Sequence, residues 1–490
     1  MDQARHFALI VLLTAAVGLV AVLSNRLTER LKVPVPVLVL VAAATAVKIV
    51  PSLHAPPART VEDILTVALV VILFDGGMHI GAGRFRAAAA PIALVGVLGT
   101  FLTAAGGAAL LHYAFGLDWF VALLVATAVA PTDPAVVFSV LGQREIAGRS
   151  ATVLEGESGA NDPVGIALMS SLIAAGGLSA HAFGEVGVQF LLQMVVGGLI
   201  GLVGGQALLW FMRHVSLPGE GLYALRTLAC AAVLFGVATI AHGSGFLAVF
   251  VAGIVIGDER APYKREIERF HSALASLAEI VAFVVLGLTV DLGVISRANV
   301  LVPGLVLAVV VAFVVRPVFV GLCLLPARLR RNETAFILFA GLKGAVPLLL
   351  GELMLASGVD DAERLYGIVA VVVVFSVLVQ GSLTPTAAHV LNVPMRPVEP
   401  EPWALGVRLR DEPQGVHRFV VRRGAPADGR TIADLDELPE DSWISFIVRD
   451  SGLVVIRGST ELEAGDQVLV LGDENCAEQL QHVFEGELAN

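Results

Sequence analysis

A run of polar residues interrupts an apolar stretch of the sequence near position 160, and its side chains carry oxygen atoms of the kind that bind hard cations. Residues four apart share one face of a helix, so Glu157 lies beside Asn161 and Ser158 beside Asp162. One carboxylate, one hydroxyl and one amide oxygen therefore converge. Oxygen ligands suit hard cations, and this spacing predicts a site for a monovalent cation.

Other apolar stretches also contain ionisable residues. An ionisable residue inside a membrane span costs several kcal/mol unless it faces a cavity or a partner, so each is a functional candidate. These residues are Asp75, Asp133 beside Thr132, Arg316 before Pro317, and Lys343. The histidines lie near the ends of apolar runs or in loops, without the spacing of metal ligands, and indicate no soft-metal site.

Four prolines lie inside or beside these polar positions. A proline within a helix has no N–H to donate and frees the carbonyl four residues earlier. Carbonyls freed at membrane depth must be satisfied by water, a neighbouring helix or a bound cation. By this rule Pro131, Pro134, Pro163 and Pro347 free the carbonyls of Thr127, Ala130, Gly159 and Lys343. We expect interrupted helices here, with a simple proline kink as the alternative at any single position.

The rest of the chain is strongly apolar. Of its 490 residues, 56% are hydrophobic and 15% charged, and its mean hydropathy is +0.82. Soluble domains carry about 25% charged residues, so a water-soluble globular protein is excluded. The net charge of −11 provides no basic face for a nucleic acid. The three cysteines are far apart and show no zinc or disulfide spacing.

Thirteen apolar stretches are candidate membrane spans, which need about 20 residues each. They cover residues 6–23, 34–50, 62–78, 88–112, 118–141, 151–175, 186–212, 222–241, 244–257, 273–290, 298–325, 333–355 and 363–389. Lys and Arg concentrate in cytoplasmic loops, and alternate loops between these spans hold sixteen of them against five on the opposite side. We therefore expect a multi-pass protein of the cell (inner) membrane with its amino terminus outside and its carboxyl terminus in the cytoplasm.

Spans one to six and spans eight to thirteen form two sets of six. Spans five and twelve are each the fifth span of their set, and both are interrupted. Paired interrupted segments are the best sequence signal for the binding site of a transporter. The single span between the sets inverts the second set relative to the first. The expected fold is an all-α polytopic membrane protein of about thirteen transmembrane helices, in inverted repeats with interrupted crossing helices.

The composition changes near residue 395, where prolines and charges become frequent and apolar runs shorten. This change predicts a membrane domain over residues 1–395, a linker over 396–412 and a small α+β cytoplasmic domain over 413–490. We expect strands at 416–421, 442–448, 452–456 and 467–471, and short helices at 431–436 and 474–483. Residues 397–490 hold 8 basic and 19 acidic residues, so the net acidity of the chain belongs to this domain.

Five motifs of the membrane domain are LFDGG at 73–77, PTDPAVVFSVL at 131–141, LEGESGANDP at 154–163, FHSALASLAEIVAFVVLGL at 270–288 and GLKGAVP at 341–347. They resemble the monovalent cation:proton antiporter family of the NhaP and sodium/proton-exchanger type. The sequence looks closest to the bacterial potassium/proton branch that carries a TrkA-C-like (RCK-C) domain. The pattern GRTIADL at 429–435, with the segment 447–473, is similar to that cytoplasmic module.

The resemblance implies that Asp162 is the carboxylate that binds the transported cation and the proton. Asn161 is its partner, and Thr132 and Asp133 form the crossing of the broken helix. The implied ligands of the cation are Asp162, Asp133, Thr132 and Ser158.

The resemblance also implies supporting roles. Asp75 is a nearby oxygen donor, and Glu157 forms a structural ion pair with Arg316. Two positions depart from the family pattern, because Lys343 replaces the usual arginine and Glu279 stands where a glutamine is common. A lysine keeps a single cation in place, but its charge state responds to burial more readily than that of an arginine.

The implied activity is secondary active antiport of a monovalent cation against H+ by alternating access, electroneutral, with K+ favoured over Na+. Such a transporter is not an enzyme and needs no cofactor, although its cytoplasmic domain is expected to take a small regulatory ligand such as a nucleotide. We also expect a homodimer in the lipid bilayer, no nucleic-acid partner and a role in pH homeostasis.

Three alternatives remain open at this stage. The main one is a potassium channel or uniporter gated by the RCK-C domain, although the sequence contains no TVGYG filter. The second is a symporter of an organic solute, built on the same inverted repeats. For the cytoplasmic domain, the alternative to regulation is a stabilising or dimerising appendage.

Overall fold

The computed structural model describes residues 35–49, 56–134, 137–138, 141, 144–146, 149–259, 261–397, 415–435, 438–439, 442–449, 452–473 and 476–486. The chain forms two units, Met1–Pro402 and Trp403–Asn490. The first predicted span, 6–23, and most of the predicted linker lie outside the described residues.

The first unit is mostly helical. Its helices are α1 (Val35–Ile49), α2 (Ala58–Ala93), α3 (Thr100–Phe115), α4 (Trp119–Ala128), α5 (Arg149–Ala175), α6 (Ala180–His214), α7 (Glu220–Ile240), α8 (Gly245–Gly257), α9 (Lys264–Thr289), α10 (Leu292–Ile295), α11 (Ala298–Val310), α12 (Arg316–Leu324), α13 (Arg331–Phe339), α14 (Ala345–Ala356), α15 (Ala362–Phe375) and α16 (Ser382–Val390). Strands β1 (Arg144–Ile146) and β2 (Met395–Pro397) pair antiparallel. Among the described residues, six helical stretches are long and apolar enough to cross a membrane. This agrees with the predicted helical, polytopic fold.

Three π-helical segments extend these helices without a loop. Leu94–Gly99 joins α2 to α3, Val311–Val315 joins α11 to α12, and Ser376–Gly381 joins α15 to α16. The helical stretch Ala58–Phe115 is 58 residues long, about three times the 20 residues that one crossing needs.

The two spans predicted within this stretch, 62–78 and 88–112, are separated at Gly81. The φ angle of Gly81 is 66°, outside the helical region, and glycine adopts this left-handed conformation without steric cost. The carboxylate of Asp258 lies at this point and accepts a hydrogen bond of 2.5 Å from Gly83 N. The chain therefore changes direction at Gly81, between the two predicted spans.

The fifth and twelfth predicted spans are interrupted, as expected. Helix α4 ends at Ala128 and is followed by a non-helical segment over residues 129–134, while residues 340–344 separate α13 from α14. These half-helices have 10, 9 and 12 residues, too few to cross a bilayer alone. Backbone groups at the interruptions therefore need partners from elsewhere in the fold.

Two prolines at the interruptions, Pro131 and Pro347, do not act as the kink rule predicts. Pro347 is the third residue of α14, where an N–H has no partner within the helix in any case. The expectation that it frees a helical carbonyl at Lys343 is wrong, because the helix begins after Lys343. Pro131 lies in the non-helical segment, and Pro163 lies inside α5, which continues through it.

The second unit is a small antiparallel sheet with one helix. Its strands β3 (Val416–Val420), β4 (Trp443–Arg449), β5 (Gly452–Val454) and β6 (Gln467–Leu471) follow the order β3-β6-β4-β5, and α17 spans Ala477–Glu485. The rings of Phe484 in α17 and Phe419 in β3 stack with centroids 5.6 Å apart. All four strands lie within two residues of their predicted bounds, whereas the helix predicted at 431–436 is a single 3-10 turn.

A buried ion pair ties β4 to the turn before β6. The carboxylate of Asp466 accepts hydrogen bonds of 2.8 Å from Arg449 Nε and Nη2, and one of 2.9 Å from Glu463 N. Burial by itself raises the pKa of Asp466, but the hydrogen bonds from Arg449 and Glu463 outweigh it and lower the pKa. The ionised Asp466 therefore makes its full contribution to the stability of the second unit above the pKa of an unfolded aspartate, about 3.9. This contribution is lost as the pH falls through the lower pKa that Asp466 has in the folded protein.

We expect Asp466→Asn to destabilise the second unit by about 1.5–3 kcal/mol, because it removes hydrogen bonds between charged groups. Hydrogen–deuterium exchange of residues 443–471 in the full-length protein at pH 7 should become faster. Glu463→Gln is the control: Glu463 pairs with the same Arg449 but is 59% exposed, so its loss should cost less than about 1 kcal/mol. Equal protection in Asp466→Asn and the wild type would contradict this account.

Candidate ion-binding site

The two helix interruptions cross each other and share backbone contacts. Asp133 N donates a hydrogen bond of 2.8 Å to Leu342 O. Gly344 lies so close to the Asp133 carboxylate that a Cβ at position 344 would overlap it. The carboxylate of Asp133 therefore lies beside the amino-terminal end of α14, where the helix dipole favours a negative charge. We call this region, residues 129–134 and 340–344, the crossing.

Lys343 provides a positive charge within the crossing. Its Nζ donates to the carbonyl oxygens of Ala130 at 2.9 Å and Pro131 at 3.1 Å, and the residue is 3% exposed. These carbonyls follow the end of α4, where the helix dipole places negative potential. The backbone N of Lys343 donates to Ser376 Oγ at 3.0 Å. Lys343 thus satisfies backbone oxygens that the interruption leaves without helical partners.

Asn161 holds the first interruption against α5. Thr132 N donates to Asn161 Oδ1 at 3.3 Å, and Asn161 Nδ2 donates to Thr132 Oγ1 at 2.8 Å. The side-chain amide therefore acts as donor and acceptor toward the same residue. Its oxygen, one of the three expected to converge on a cation, accepts a backbone N–H in this arrangement. Asn161 thereby positions Thr132.

Glu157 and Arg316 form an ion pair inside the membrane unit. Arg316 Nη1 and Nη2 donate to Glu157 Oε1 and Oε2 at 2.6 and 2.9 Å, and the side chains are 3% and 2% exposed. Arg316 also donates to the carbonyl oxygens of Leu338 at 3.0 Å and Ile337 at 3.1 Å. Thr132 Oγ1 donates to Glu157 Oε1 at 3.4 Å. The pair therefore neutralises both charges and connects the end of α13 to the first interruption.

Asp162 lies one turn after Ser158 on α5. It is 7% exposed, and the nearby Ser158 hydroxyl stabilises its charged form. Its Oδ1 atom is buried and has no hydrogen-bond partner among the residues that the structure describes. The charges of Asp133 and Lys343 act on it from the crossing. A buried carboxylate oxygen without a donor is costly unless a proton or a cation occupies it.

Asp75 lies on α2 and contacts a different helix. Its Oδ1 accepts a hydrogen bond of 3.1 Å from Ser272 Oγ of α9, and its Oδ2 lies 3.4 Å from His79 Nδ1. These described contacts are with α9 and with the next turn of α2. The structure thus brings Thr132, Asp133, Ser158, Asp162 and Lys343 together and places Asp75 beside Ser272.

Sequence reasoning missed two polar residues that support the crossing. Ser376 Oγ accepts the hydrogen bond from Lys343 N and donates to Gln380 Oε1 at 2.9 Å. Gln380 Nε2 in turn donates to the carbonyl oxygen of Phe339, the last residue of α13, at 3.4 Å. The available signal was the pair of polar residues four apart within the predicted span 363–389.

The family described as sodium/hydrogen exchanger, transmembrane, matches residues 12–389 of the chain. This chain belongs to that family. The TrkA-C domain family matches residues 416–485, which include all four strands of the second unit. Both findings confirm the resemblance seen in the motifs. The exchanger is accordingly a transporter that moves a cation against a proton, and the channel alternative is not favoured.

Curated relatives extend over both units of the exchanger. It is 33% identical over 410 residues to the K(+)/H(+) antiporter NhaP of Alkalimonas amylolytica, covering 83% of this chain and 71% of the relative. It is 32% identical over 498 residues to the K(+)/H(+) antiporter NhaP2 of Shewanella oneidensis, covering 99% and 84%. The solved sodium proton antiporter MjNhaP1 from Methanocaldococcus jannaschii aligns with a TM-score of 0.63 at 22% identity, covering 76% of this chain and 99% of that one. The exchanger therefore shares the fold of that antiporter.

Removing one partner of the Glu157–Arg316 pair should destabilise the exchanger by about 3–5 kcal/mol, because the other charge stays buried without its counterion. We expect Glu157→Met and Arg316→Met each to lower the apparent unfolding temperature in detergent, measured by scanning fluorimetry. The double variant should lose less than the sum of the two single losses, because the interaction can be lost only once. Strictly additive losses would contradict the pairing.

The matched control for this cycle is the ion pair between Arg364 and Asp361, whose side chains are 32% and 61% exposed. An exposed pair of this kind contributes about 0–1 kcal/mol. Arg364→Met should therefore leave the unfolding temperature close to that of the wild type.

Proposed function

We propose that this exchanger moves one monovalent cation against one proton by competition at the Asp162 carboxylate. The observation that carries the proposal is the enclosed Oδ1 atom, for which the described residues provide no hydrogen-bond donor. A proton or a cation on this carboxylate relieves the cost of the buried charge. Because one carboxylate serves both, binding of either ion displaces the other. Rocking of one helix bundle against the other exposes the loaded site to alternate sides of the membrane.

The proposed ligands of the cation are Asp162, Asp133, Thr132 and Ser158. The Ser158 hydroxyl stabilises the charge of Asp162, and Thr132 donates its hydroxyl hydrogen to Glu157. A hydroxyl oxygen has two lone pairs, so each hydroxyl keeps an acceptor that can face a cation. Asp133 is held at the crossing through its backbone N–H. The cation would thus bind to fixed oxygens rather than to flexible surface side chains.

We propose that the exchange is electroneutral. Glu157 is neutralised by its arginine partner through two short hydrogen bonds, and Asn161 beside Asp162 carries no charge. Asp133 and Lys343 bring opposite charges to the crossing. Within the crossing and its ion pair, Asp162 is then the group whose occupant changes, so one proton leaves for each cation that binds there.

We propose K+ as the preferred cation and Na+ as the second candidate. The support is that relatives named K(+)/H(+) antiporters align over nearly the whole chain, the TrkA-C region included, while the structural neighbour is named a sodium proton antiporter. We also propose a homodimer in the inner cell membrane that serves pH homeostasis, with the amino terminus outside and the second unit in the cytoplasm. The excess of Lys and Arg in alternate loops supports this orientation.

Asp162→Asn should abolish proton movement that depends on a cation gradient, because asparagine can neither take up a proton nor balance a cation. The assay uses a pH-sensitive dye inside reconstituted vesicles, with K+ and Na+ compared over a range of pH. Asp291→Asn, at the amino-terminal end of the short helix α10, is the control and should keep exchange.

Retained exchange in Asp162→Asn would refute the assignment of this carboxylate. Cation flux without proton movement in the wild type would favour the channel or uniporter instead.

The same vesicles test the stoichiometry: with equal K+ on both sides, valinomycin holds the membrane potential at zero. Exchange driven by a pH gradient should then keep its rate, and an acceleration by valinomycin would contradict one-for-one exchange.

We further propose that the second unit regulates exchange by binding a small ligand, with a nucleotide as the first candidate. The TrkA-C match supports a regulatory module of this kind. Deleting residues 400–490 should change the pH dependence of activation and leave exchange at Asp162 intact, as measured in the same vesicles. An unchanged activation profile would instead indicate a stabilising appendage.

A further inference from the structure

A second enclosed carboxylate lies near the crossing, on helix α9. The Oε1 atom of Glu279 is buried and accepts no hydrogen bond within the described part of the chain. Helix α9 packs against α14, whose amino-terminal end meets Asp133 at Gly344. The charges of Glu279 and Asp133 act on each other. The exchange scheme at Asp162 assigns nothing to Glu279.

The buried basic side chains do not neutralise Glu279. In the described residues these are Arg226, Arg316, Lys343 and His271, and the His271 ring contacts Thr227 Oγ1 and Ile267 O. Arg316 binds Glu157, Lys343 donates to two carbonyl oxygens of the crossing, and Arg226 donates to carbonyl oxygens at the end of α6. A carboxylate oxygen enclosed without such a partner is stabilised by a proton or by a mobile cation.

Glu279 forms the inner end of a polar stripe on α9. Ser272, Ser276 and Glu279 are four and three residues apart, so they share one face of the helix. The stripe covers about 10 Å, at 1.5 Å of rise per residue. At its outer end, Ser272 Oγ donates to Asp75 Oδ1 at 3.1 Å. The stripe therefore leads from Asp75 to the crossing.

Helix α5 carries a matching stripe made of Glu155, Ser158 and Asp162, which are three and four residues apart. At the outer end, the charge of Glu155 acts on His79 of α2, which also pairs with Asp75. The His79 side chain is 54% exposed, so this end reaches the surface. Helix α2 packs against both α5 and α9. The two stripes thus connect the same surface end to the same buried centre.

We propose that Glu279 is a second binding residue for the transported monovalent cation, on an access path between the Asp75 end and Asp162. Its carboxylate replaces part of the hydration shell of the cation before the cation reaches Asp133 and Asp162. Conduction through several weak sites in sequence lets an ion both enter and leave. The proposal rests on the exchange function assigned to Asp162 and adds to it a residue on the entry side.

The test compares Glu279→Gln with a matched control, Glu352→Gln. Glu352 of α14 is also buried with an unpartnered Oε1, but its polar neighbours are Thr289 and Tyr366 rather than the crossing. In reconstituted vesicles at a fixed pH gradient, Glu279→Gln should raise the apparent KM for K+ about tenfold, a loss of binding energy that leaves the maximal rate within about twofold. Glu279→Asp should recover much of the affinity, and Glu352→Gln should keep the wild-type KM.

An unchanged KM in Glu279→Gln, or an equal rise in Glu352→Gln, would overturn the assignment. A fall in maximal rate at constant KM would also overturn it, because that pattern indicates a positioning role. If Glu279→Gln does not give a monodisperse protein in detergent, Glu279→Asp decides: a raised KM supports the proposal and a wild-type KM overturns it.

Asp162→Asn in the same vesicles separates the two proposals. Exchange retained in Asp162→Asn overturns the proposed function. Exchange abolished there, together with a wild-type KM in Glu279→Gln, overturns the assignment of Glu279 alone.

Discussion

The structure of the membrane unit depends on how backbone groups are satisfied where two helices stop at membrane depth. Water is scarce there, and each unpaired N–H or C=O costs several kcal/mol. The exchanger meets this requirement with hydrogen bonds that run from each interruption to the other. Lys343 of the second interruption donates to Ala130 and Pro131 of the first, and Asp133 N donates to Leu342 O in return. Neither interruption is satisfied without the other, so the crossing forms only when both halves of the unit have packed together.

The buried charges divide into two groups with different consequences. Glu157 and Arg316 are fully engaged with each other and with carbonyl oxygens, so they stabilise the fold and have no open position for an ion. Asp162 and Glu279 each keep one enclosed oxygen without a described partner. Such an oxygen lowers stability when it is empty, which is the property expected of a group whose partner comes and goes. Burial alone therefore does not mark a candidate transport residue, whereas an unsatisfied buried oxygen next to the crossing does.

Much of this arrangement could be predicted from the sequence, because the relevant signals are local. Periodicity placed Ser158 and Asp162 on one face of α5, and β-branched residues with turn residues beside them placed the strands of the second unit. Contacts to backbone atoms could not be predicted, since a carbonyl oxygen is the same at every residue. The partners of Lys343 are of this kind. The expectation for Pro347 failed for a related reason, because the start of α14 is set by the crossing and not by the residues around the proline.

The paired hydrogen bonds between Asn161 and Thr132 link two properties that are usually discussed separately. An amide is neutral and is also both donor and acceptor, so one side chain fixes the charge at the centre and the shape of the interruption. An aspartate at this position would add a negative charge, and in its ionised form would lose the donor to Thr132 Oγ1. In this chain, a change of charge at position 161 would therefore also change the hydrogen bonds that anchor the broken helix. The charge at the centre and the geometry of the helix break thus depend on the same side chain.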